Sequence, residues 1–417
     1  MTTMIFTIRD NSLTSDPEMT PSSPRLRVRE VLPDLFLGFH ATGPLNSLTD
    51  VPGVLVHTQS IHRPAGHDPA RPVSVINTGV TTILPRRDWF EKGCYSAVFS
   101  FNGSGELTGS HWINETGLLN SPIVLTNSFG VGACYDGIYR YAVREYGDKV
   151  TGLVDWFLLP VVGETYDGYL NDIGAMPVTA DMVVKGIEQA SAEKVKEGNT
   201  GGGTGMTTMG FKAGTGSASR KVDAIIRGHR TEFTIGALVQ SNFGKPRNLR
   251  FGPAPVGRIL KKEKDEHKNA GNVPERKKDG SIIVILATDA PLHPTQLQRL
   301  IKRATVGIAR TGGFGSNSSG DIFLAFSTAA EVPREPPIRD GMTPLQAQFT
   351  ANVELGVDVV QDTTINGLFE AAAEAVEESI LNALCMAETM EGPNGARVEA
   401  IDLEKLKSIV ERYDGGR

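Results

Sequence analysis

The sequence predicts an α+β fold in which helices and sheets form separate layers. Short segments rich in β-branched and aliphatic residues alternate with Gly, Asn and Pro turns, and long amphipathic helices follow toward the C-terminus. Strands and helices do not alternate with the regular rhythm of a doubly wound parallel sheet, and no internal repeat recurs at a fixed period. At 417 residues the chain can bury a large core, in one large unit or in two or three ordinary domains.

The N-terminal part is predicted to consist mainly of strands separated by turns. Residues 1–25 are predicted to form a disordered leader. Helical periodicity runs over Gly132–Tyr146 and again from Met182, where Thr179 is placed to cap the helix. The strand candidates are Val73–Asn77, Tyr95–Phe101, Pro122–Thr126 and Thr231–Gln240.

The C-terminal part has stronger signals. A continuous apolar run predicts a strand that is buried on both faces, and Pro294 is favoured in the first turn of the helix that follows it. Later helices are predicted from apolar residues that recur at helical spacing. The predicted elements are a strand Ile282–Ala287, a helix Pro294–Ile308, a strand Ile322–Phe326, a helix Thr363–Glu388 and a helix Leu403–Val410.

Composition excludes several classes of function. The net charge is −6 and no block of basic residues occurs, which argues against nucleic acids and anionic membranes as partners. Cys94, Cys134 and Cys385 are too few and too scattered for a disulfide framework or a zinc site. No apolar run is long enough for a signal peptide or a membrane span. We therefore expect a soluble, cytoplasmic protein.

The common metal, nucleotide and nucleophile motifs are missing. The glycine-rich run Gly201–Gly205 lacks the Gly-Lys-Ser/Thr ending of a phosphate loop, and no dinucleotide fingerprint occurs. The eight histidines do not cluster and none lies in a His-Glu-x-x-His motif, so we expect no metal and no cofactor. No Gly-x-Ser-x-Gly motif is present. An acyl-transfer enzyme on this chain would therefore need a serine that is activated without histidine.

One junction offers such a serine. Residues 261–279 mix acidic and basic residues with almost no apolar content, which predicts an exposed loop before the buried strand. Gly280 and Ser281 lie between the two. Cleavage of the bond that joins them would leave Ser281 with a hydroxyl and a free α-amine of pKa roughly 7.7–8.0, able to act as a local base. On the junction alone, a simple Gly-Ser turn remains the favoured interpretation.

Four other loops combine turn residues with carboxylate, amide or hydroxyl side chains. Each alone is more typical of a turn or a helix cap than of a site. Together with the junction they supply a nucleophile, an amide donor, hydroxyls and acids, which are the groups that acyl transfer requires. These loops are Asn102–Gly109, Glu164–Asp172, Gln240–Gly244 and Ser316–Asp321.

An ordered series of motifs carries a family resemblance. The motifs are Thr42–Val54, Asn102–Glu106, Leu125–Ser128, Glu164–Asp172, Gly198–Met206, Val239–Gly244, Gly280–Ser281, Ala287–Leu292 and Ser318–Ser327. With them the sequence resembles the L-aminopeptidase/D-Ala-esterase/amidase and β-peptidyl aminopeptidase group, the DmpA-type hydrolases, over nearly the whole chain from about Leu26. Because so many motifs occur in order, the resemblance is specific, and it favours a cleavage junction over the simple turn.

The resemblance implies a fold, an activity and an assembly. The fold is a four-layer αββα sandwich of the DmpA/ornithine acetyltransferase type, in one domain over residues 26–417. The chain would cut itself into residues 1–280 and 281–417 and assemble as a homotetramer of these αβ units. The activity would be that of a serine aminopeptidase or amidase acting on short peptides, amides or esters with a free amino group, D- or β-amino acyl groups included.

The resemblance also implies roles for four residues near the predicted strand ends. Ser281 is the nucleophile, and Asn242 provides the amide that stabilises the oxyanion. Ser319 and Asp321 support the nucleophile. The sequence departs from the family at Asp321, where the resemblance leads to an expectation of Glu; the shorter side chain keeps the charge but reduces its reach toward Ser319.

Two further residues and two alternatives complete these expectations. Tyr166 is expected to contribute to the catalytic site, and Glu164 to receive the ammonium group of the substrate. A second departure is the unusual length and charge of the segment before Gly280, which would change how readily the chain is cut. The alternatives are an acyltransferase of the ornithine acetyltransferase type, which passes the acyl group to an amine, and a non-catalytic assembly protein.

Overall fold

The computed structural model describes residues 24–267, 280–335, 343, 346, 349 and 352–414. These residues form four layers in the order helices, sheet, sheet, helices. The predicted α+β class and the αββα arrangement are confirmed, because both faces of each large sheet are covered by another layer.

Two large sheets form the middle layers. One has the strand order β1-β2-β5-β6 and the other β4-β3-β12-β11-β10-β9, while β7-β8 and β13-β14 are separate hairpins. The pairs β5-β6 and β11-β12 are parallel and the remaining pairs are antiparallel. In chain order, β1 to β14 of the described residues are Leu55–Arg63, Ile76–Leu84, Lys92–Ser100, Leu118–Leu119, Ile123–Asn127, Val161–Thr165, Thr207–Thr208, Phe211–Lys212, Thr215–Ile226, His229–Asn242, Ser281–Thr288, Asp321–Pro333, Met390–Glu391 and Arg397–Val398.

The helices form the outer layers. No helix among the described residues combines the length and the apolar character that crossing a membrane requires. In chain order, α1 to α9 of that part of the chain are Val28–Val31, Ser110–Thr116, Val131–Tyr146, Ala180–Gln189, Val256–His267, Pro294–Ile301, Ala304–Arg310, Asn366–Cys385 and Leu403–Asp414.

Strand β11 shows why the continuous apolar run predicts a strand buried on both faces. Ile283 and Ile285 point into the core between the two sheets, with Leu125 of β5. Ile282 and Val284 point the other way, into the core under α6, α7 and α8. Because side chains alternate along a strand, both faces of β11 need apolar residues, and the whole strand is buried. A third core packs α3 and α4 on the outer face of the four-stranded sheet.

Two helix predictions need correction. The helix predicted over Pro294–Ile308 is broken into α6 and α7, and at the break the Arg303 N–H bonds to the Leu300 carbonyl at 2.9 Å, three residues back. Gly307 then allows α7 to lie directly on α8, since a Cβ there would be 2.7 Å from the Ala373 carbonyl oxygen. Thr179 is the N-cap residue of α4, but its side chain makes no capping hydrogen bond.

The predicted loop over residues 261–279 is partly helical. Helix α5 continues to His267, with Ile259 and Leu260 packed against the core. On its charged side, Glu263 pairs with Lys405 at 2.5 Å. The solvent face of an amphipathic helix therefore produced the polar composition that the sequence analysis interpreted as loop. Residues 268–279 lie outside the described residues.

The predicted leader over residues 1–25 includes a residue that the structure places in the folded unit. Residues 1–23 lie outside the described residues. Arg25 belongs to the folded unit, because its guanidinium donates to the carbonyls of Cys385 at 2.8 Å and Ile401 at 3.1 Å.

Candidate active site

Three neighbouring strands end at one edge of the six-stranded sheet and bring the predicted residues together there. Strand β11 begins at Ser281 and its parallel neighbour β12 begins at Asp321, whereas the antiparallel strand β10 ends at Asn242. The register pairs Ser281 with Asn242 and Ile282 with Asp321. Residues that are far apart in the sequence therefore become neighbours at this edge.

The Gly280–Ser281 peptide bond lies inside that cluster. Ser281 is buried, and its Oγ accepts a hydrogen bond of 3.1 Å from the N–H of Gly320. The Ser319 hydroxyl contacts the Gly280 carbonyl oxygen on one side and Asp321 Oδ1, at 2.6 Å, on the other. A hydroxyl has a single proton, so Ser319 can donate to only one of these two oxygens at a time. Protonation of Asp321 would satisfy both contacts.

Asp321 is suited to gain that proton. Burial raises the pKa of its carboxyl group, although hydrogen bonds from Ser319 and Asn102 act in the opposite direction. Asn102 Nδ2 donates to Asp321 Oδ2 at 2.9 Å. Asn102 was predicted only as part of a loop with site-like composition. Its side-chain contact with Asp321 makes it a supporting residue of the site.

The amide of Asn242 is held in one orientation. Its Oδ1 accepts from the N–H of Thr207 at 3.0 Å, and its Nδ2 donates to the Tyr166 carbonyl at 2.8 Å. Because the Thr207 N–H can only donate, the oxygen of the amide must face it, and the nitrogen must face the other way. Nδ2 has a second N–H, and among the described residues no acceptor is assigned to it. This N–H is the group that the predicted oxyanion role of Asn242 requires.

Gly280 is in close contact with Asn242. A Cβ on Gly280 would lie 1.5 Å from the Asn242 carbonyl oxygen and 3.2 Å from its Nδ2. No side chain fits at residue 280, which explains the glycine at this junction by close approach as well as by flexibility. The same distances place the Asn242 amide beside the bond that is predicted to be cut.

Glu164 reaches the site from the other sheet. It is buried on β6, where its carboxylate accepts a bond of 3.0 Å from the Glu106 N–H and contacts the Ser128 hydroxyl. Burial raises its pKa, and the Ser128 and Glu106 hydrogen bonds oppose that shift. A Cβ on Gly105 would lie 3.4 Å from Glu164 Oε1 and 3.1 Å from the Cα of Gly320. Glu164 is therefore close to the loop that contacts Ser281.

Tyr166 contributes to this arrangement through its main chain. Its carbonyl is the acceptor for Asn242, whereas its ring lies over Gly168, where a Cβ would be 2.4 Å from the phenol oxygen. The side chain is partly exposed. The phenol therefore lies at the rim of the site, and its predicted catalytic contribution stays a prediction. The main-chain contact that holds the Asn242 amide was not predicted from the sequence.

Side-chain patterns could not predict every group that builds the site. The N–H groups of Gly320 and Thr207 contact Ser281 and Asn242, but a main-chain donor has no residue-type signature. Gly320 lies between Ser319 and Asp321 in the sequence, and this position next to two predicted site residues was the one sequence signal for its role. Thr207 comes two residues after the glycine-rich run Gly201–Gly205, whose sequence lacks a phosphate-loop or dinucleotide motif.

One group in the described part of the chain has the spacing of metal ligands. It consists of His40, Glu370 and Glu374, whose potential ligand atoms lie within 4.8 Å of one another. Glu374 also accepts hydrogen bonds from Arg220 at 3.0 Å and from the Phe39 N–H at 2.8 Å. The arginine supplies positive charge where a cation would bind. None of these residues lies on a strand that ends at the site.

Comparison with known proteins relates this arrangement to characterised ones. Residues 46–398 match Peptidase family S58. A β-peptidyl aminopeptidase from Sphingosinicella microcystinivorans is 38% identical over 377 residues, which cover 89% of this chain and 89% of that protein. The solved β-aminopeptidase from Burkholderia sp. is 40% identical with a TM-score of 0.79, over 94% of this chain and 100% of that chain.

A second solved structure extends the likeness to the fold. The L-aminopeptidase D-Ala-esterase/amidase from Ochrobactrum anthropi is 40% identical with a TM-score of 0.78, over 94% of this chain and 99% of that chain. It is described as a prototype for the serine aminopeptidases and as a variant of the Ntn hydrolase fold. The family match spans every predicted site residue, from Glu164 to Asp321. This chain therefore belongs to peptidase family S58 and is a hydrolase of peptide bonds.

Proposed function

We propose that this peptidase is a self-cleaving serine aminopeptidase and amidase that works through an acyl-enzyme on Ser281. The observation that carries the proposal is the position of the Gly280 carbonyl. Its oxygen contacts the Ser319 hydroxyl, and the next residue is the serine that would attack it. The Asn242 amide lies close to the same residue, because a Cβ on Gly280 would be 3.2 Å from Asn242 Nδ2. A carbonyl in such surroundings is polarised for nucleophilic attack.

In the first stage the chain cuts itself. Ser281 Oγ attacks the Gly280 carbonyl carbon, the C–N bond breaks, and the departing nitrogen takes the proton of the hydroxyl to become an α-amine. The resulting ester is hydrolysed by water, which leaves a carboxylate on Gly280 and restores the Ser281 hydroxyl. The products are residues 1–280 and 281–417.

In the second stage the same oxygen acts on substrate. The α-amine of Ser281 has an ordinary pKa of roughly 7.7–8.0 and accepts the proton of its own hydroxyl as that oxygen attacks the substrate carbonyl. The Asn242 amide stabilises the oxyanion, while Ser319 and Asp321 hold the hydroxyl in place. The substrate C–N or C–O bond then breaks, and the leaving amine or alcohol takes the proton from the α-ammonium of Ser281. Water hydrolyses the remaining ester, which releases the acyl group as a carboxylic acid and restores the Ser281 hydroxyl.

Selection of the amino terminus is assigned to Glu164. A substrate with a free amine brings an ammonium group into the site, and burying that charge without a partner is expensive. Glu164 is buried and fixed by Ser128 and by the Glu106 N–H, so it presents a carboxylate in a defined position. Tyr166, at the rim, is assigned a contact with the residue being released.

The substrates proposed are short peptides, amides and esters with a free amino group. The names of the relatives extend this range to β-amino acyl and D-alanyl groups. We also propose a homotetramer of αβ units. Phe36 and Phe39 support an assembly surface: they are 62% and 79% exposed, and their ring centroids lie 4.9 Å apart.

The self-cleavage and the hydrolytic activity are tested separately. Intact mass and a denaturing gel of the purified protein are expected to show the two fragments, and a panel of aminoacyl-p-nitroanilides and β-peptides is expected to release the N-terminal residue. A single uncut chain without hydrolytic activity would contradict the proposal. Acyl transfer to an added amine in place of hydrolysis would favour the acyltransferase alternative. Light scattering after gel filtration tests the tetramer.

A further inference from the structure

Lys212 is a buried lysine, and the described residues offer no compensating charge beside it. Its side chain is fully buried, and no carboxylate of the described residues forms an ion pair with it. Its Nζ donates to the carbonyls of Met206 at 2.9 Å and Ala213 at 2.5 Å. Burying a cation against neutral groups alone is costly, and an apolar side chain of similar length could fill the space without that cost.

One of these two carbonyls leads directly to the oxyanion amide. The Met206 carbonyl and the Thr207 N–H belong to the same peptide group. The carbonyl accepts from Lys212, and the N–H donates to Asn242 Oδ1 at 3.0 Å. A single peptide group therefore connects Lys212 Nζ with the amide of Asn242. Burial lowers the pKa of Lys212 to about 7, so the charged ammonium prevails below that pH.

The hairpin that contains Lys212 is hydrogen-bonded to the strand that contains Asn242. Strands β7 and β8 pair Thr207 with Lys212, through a turn in which Met209 and Gly210 have φ of 52° and 82°. Positive φ at both turn residues is typical of the tightest hairpins. Two hydrogen bonds join the hairpin to β10 and to the residue that follows it. Thr208 Oγ1 bonds to Ser241 Oγ at 2.7 Å, and the Met209 N–H donates to the Phe243 carbonyl at 2.8 Å.

The chemistry of such a chain is polarisation. A cation at the carbonyl end of a peptide group makes its N–H a stronger donor, because hydrogen bonds in series polarise one another at low dielectric. A stronger bond to Asn242 Oδ1 fixes the amide and increases the partial positive charge on Nδ2. Both effects matter most when negative charge develops on the reacting oxygen.

We propose that Lys212 is a positioning residue for catalysis, acting on the oxyanion through the Met206–Thr207 peptide group and the Asn242 amide. The proposal rests on the oxyanion role assigned to Asn242 above. It assigns a function to a side chain that neither touches the substrate nor lies at the sheet edge.

The test compares Lys212→Met with a matched control, each alone and combined with Asn242→Ala. The control is Lys221→Met. It removes the hydrogen bond of 2.8 Å that Lys221 Nζ donates to Thr234 Oγ1 on β10, away from the site. Activity is measured per processed molecule on an aminoacyl-p-nitroanilide. Lys212→Met is expected to lower kcat about ten- to a hundredfold with KM changed by less than about twofold. In the Asn242→Ala background it should have almost no further effect, and the control should leave kcat unchanged.

The combined variant separates the two proposals. If Asn242→Ala alone leaves kcat unchanged, the oxyanion assignment is wrong, whatever Lys212 does. If Asn242→Ala is slow while Lys212→Met is not, or if Lys212→Met slows both backgrounds equally, only the present inference is overturned. Should Lys212→Met not fold, Lys212→Arg and Lys212→Gln decide. Both keep a donor but only Arg keeps the charge, so kcat is expected to be about fivefold higher or more for Arg, and equal values would refute the proposal.

Discussion

Two buried polar regions of this molecule are stabilised in different ways. Behind the six-stranded sheet, Arg220 of β9 pairs with Glu374 at 3.0 Å and with Glu378 at 2.8 Å, and Arg29 pairs with Glu378 at 2.8 Å. At the site, the hydrogen-bond donors that the described part of the chain supplies to Asp321 and Glu164 are all neutral. We refer to the first region as the arginine cluster.

The pKa values follow from this difference. Burial acts to raise the pKa of Glu378, but Arg220 and Arg29 outweigh it, so the pKa lies below its ordinary value. Burial also raises the pKa values of Asp321 and Glu164, and there the neutral donors do not reverse the shift. Charges that are paired stay fixed, whereas buried acids without a countercharge titrate nearer neutrality and can exchange protons during a reaction.

The largest expected effect is that of Ser281→Ala, which removes the reacting atom from the site while leaving the arginine cluster intact. The chain should stay whole and inactive, since both the cut and the acyl-enzyme need the Ser281 hydroxyl. A denaturing gel and intact mass measure the first effect, and p-nitroanilide hydrolysis the second. Processing of this variant at the normal rate would mean that another residue is the nucleophile.

Arg220→Met should break the arginine cluster without touching the chemistry. Glu374 and Glu378 would lose a buried partner, at a cost of about 3–5 kcal/mol in the free energy of unfolding. The kcat of the folded fraction should stay unchanged. Urea unfolding of the Ser281→Ala chain, with and without Arg220→Met, provides the measurement.

The matched control is Arg140→Met. Arg140 pairs with Asp136 on the exposed face of α3, at 2.7 Å. This change should cost less than about 1 kcal/mol. Equal losses for the buried and the exposed arginine would show that the cluster does not stabilise the fold in this way.

Asn242→Ala should show the converse, a loss in rate without a comparable loss in stability. We expect kcat to fall about 10²–10³-fold, or about 2.7–4 kcal/mol of barrier. The effect should appear mainly in kcat, because the bond to the oxyanion strengthens only as charge develops. Self-cleavage needs an oxyanion as well, so precursor should accumulate, and rates must be taken per processed molecule. A wild-type kcat would rule out the oxyanion role.

The sequence predicted side chains better than it predicted main-chain contacts. The apolar run Ile282–Ala287 identified β11 because burial on both faces leaves no alternative pattern. Ser319 and Asp321 were predicted to support Ser281, and the structure brings the Ser319 hydroxyl to the Gly280 carbonyl and to Asp321. The helical start of segment 261–279 was missed, because the charged face of α5 has the composition of a loop.

The remaining parts of the site depend on tertiary geometry. The N–H groups of Gly320 and Thr207 are available to Ser281 and Asn242 only after two distant loops are placed against the sheet edge. Lys212 is a similar case. Its sequence neighbours give no sign of complete burial, and its connection to Asn242 passes through a peptide group that any residue type could provide.

Asp321→Asn tests whether catalysis needs the carboxyl group of Asp321, which has no countercharge among the described residues. Asn can donate to Ser319 and accept from Asn102, so the contacts persist without a titrating group. Turnover should slow, by about ten- to a hundredfold if a hydrogen bond to a charged group is lost. This loss is expected to be no larger than that of Asn242→Ala, because Asp321 acts on Ser281 through Ser319. Steady-state kinetics of the processed variant measure it, and an unchanged kcat would show that Asp321 does not orient Ser319.

The smallest expected effect is the pH dependence of stability that Asp321 contributes, measured in the uncut Ser281→Ala chain with and without Asp321→Asn. A carboxyl whose pKa is raised by folding binds more protons in the folded than in the unfolded chain between the two pKa values. The stability of the parent should therefore fall as pH rises through that window, relative to the Asn variant, and the difference should level off above the raised pKa. The quantity of interest is the difference in the free energy of unfolding between the two chains. Titrating groups that both chains share cancel in this difference, and a change in contact energy that does not depend on pH leaves its slope against pH unchanged. Urea unfolding at a series of pH values from the acid range to neutrality gives that slope. The opposite slope would mean that Asp321 is held as a carboxylate by a positive charge, as Glu378 is, and the contrast between the two regions would be lost.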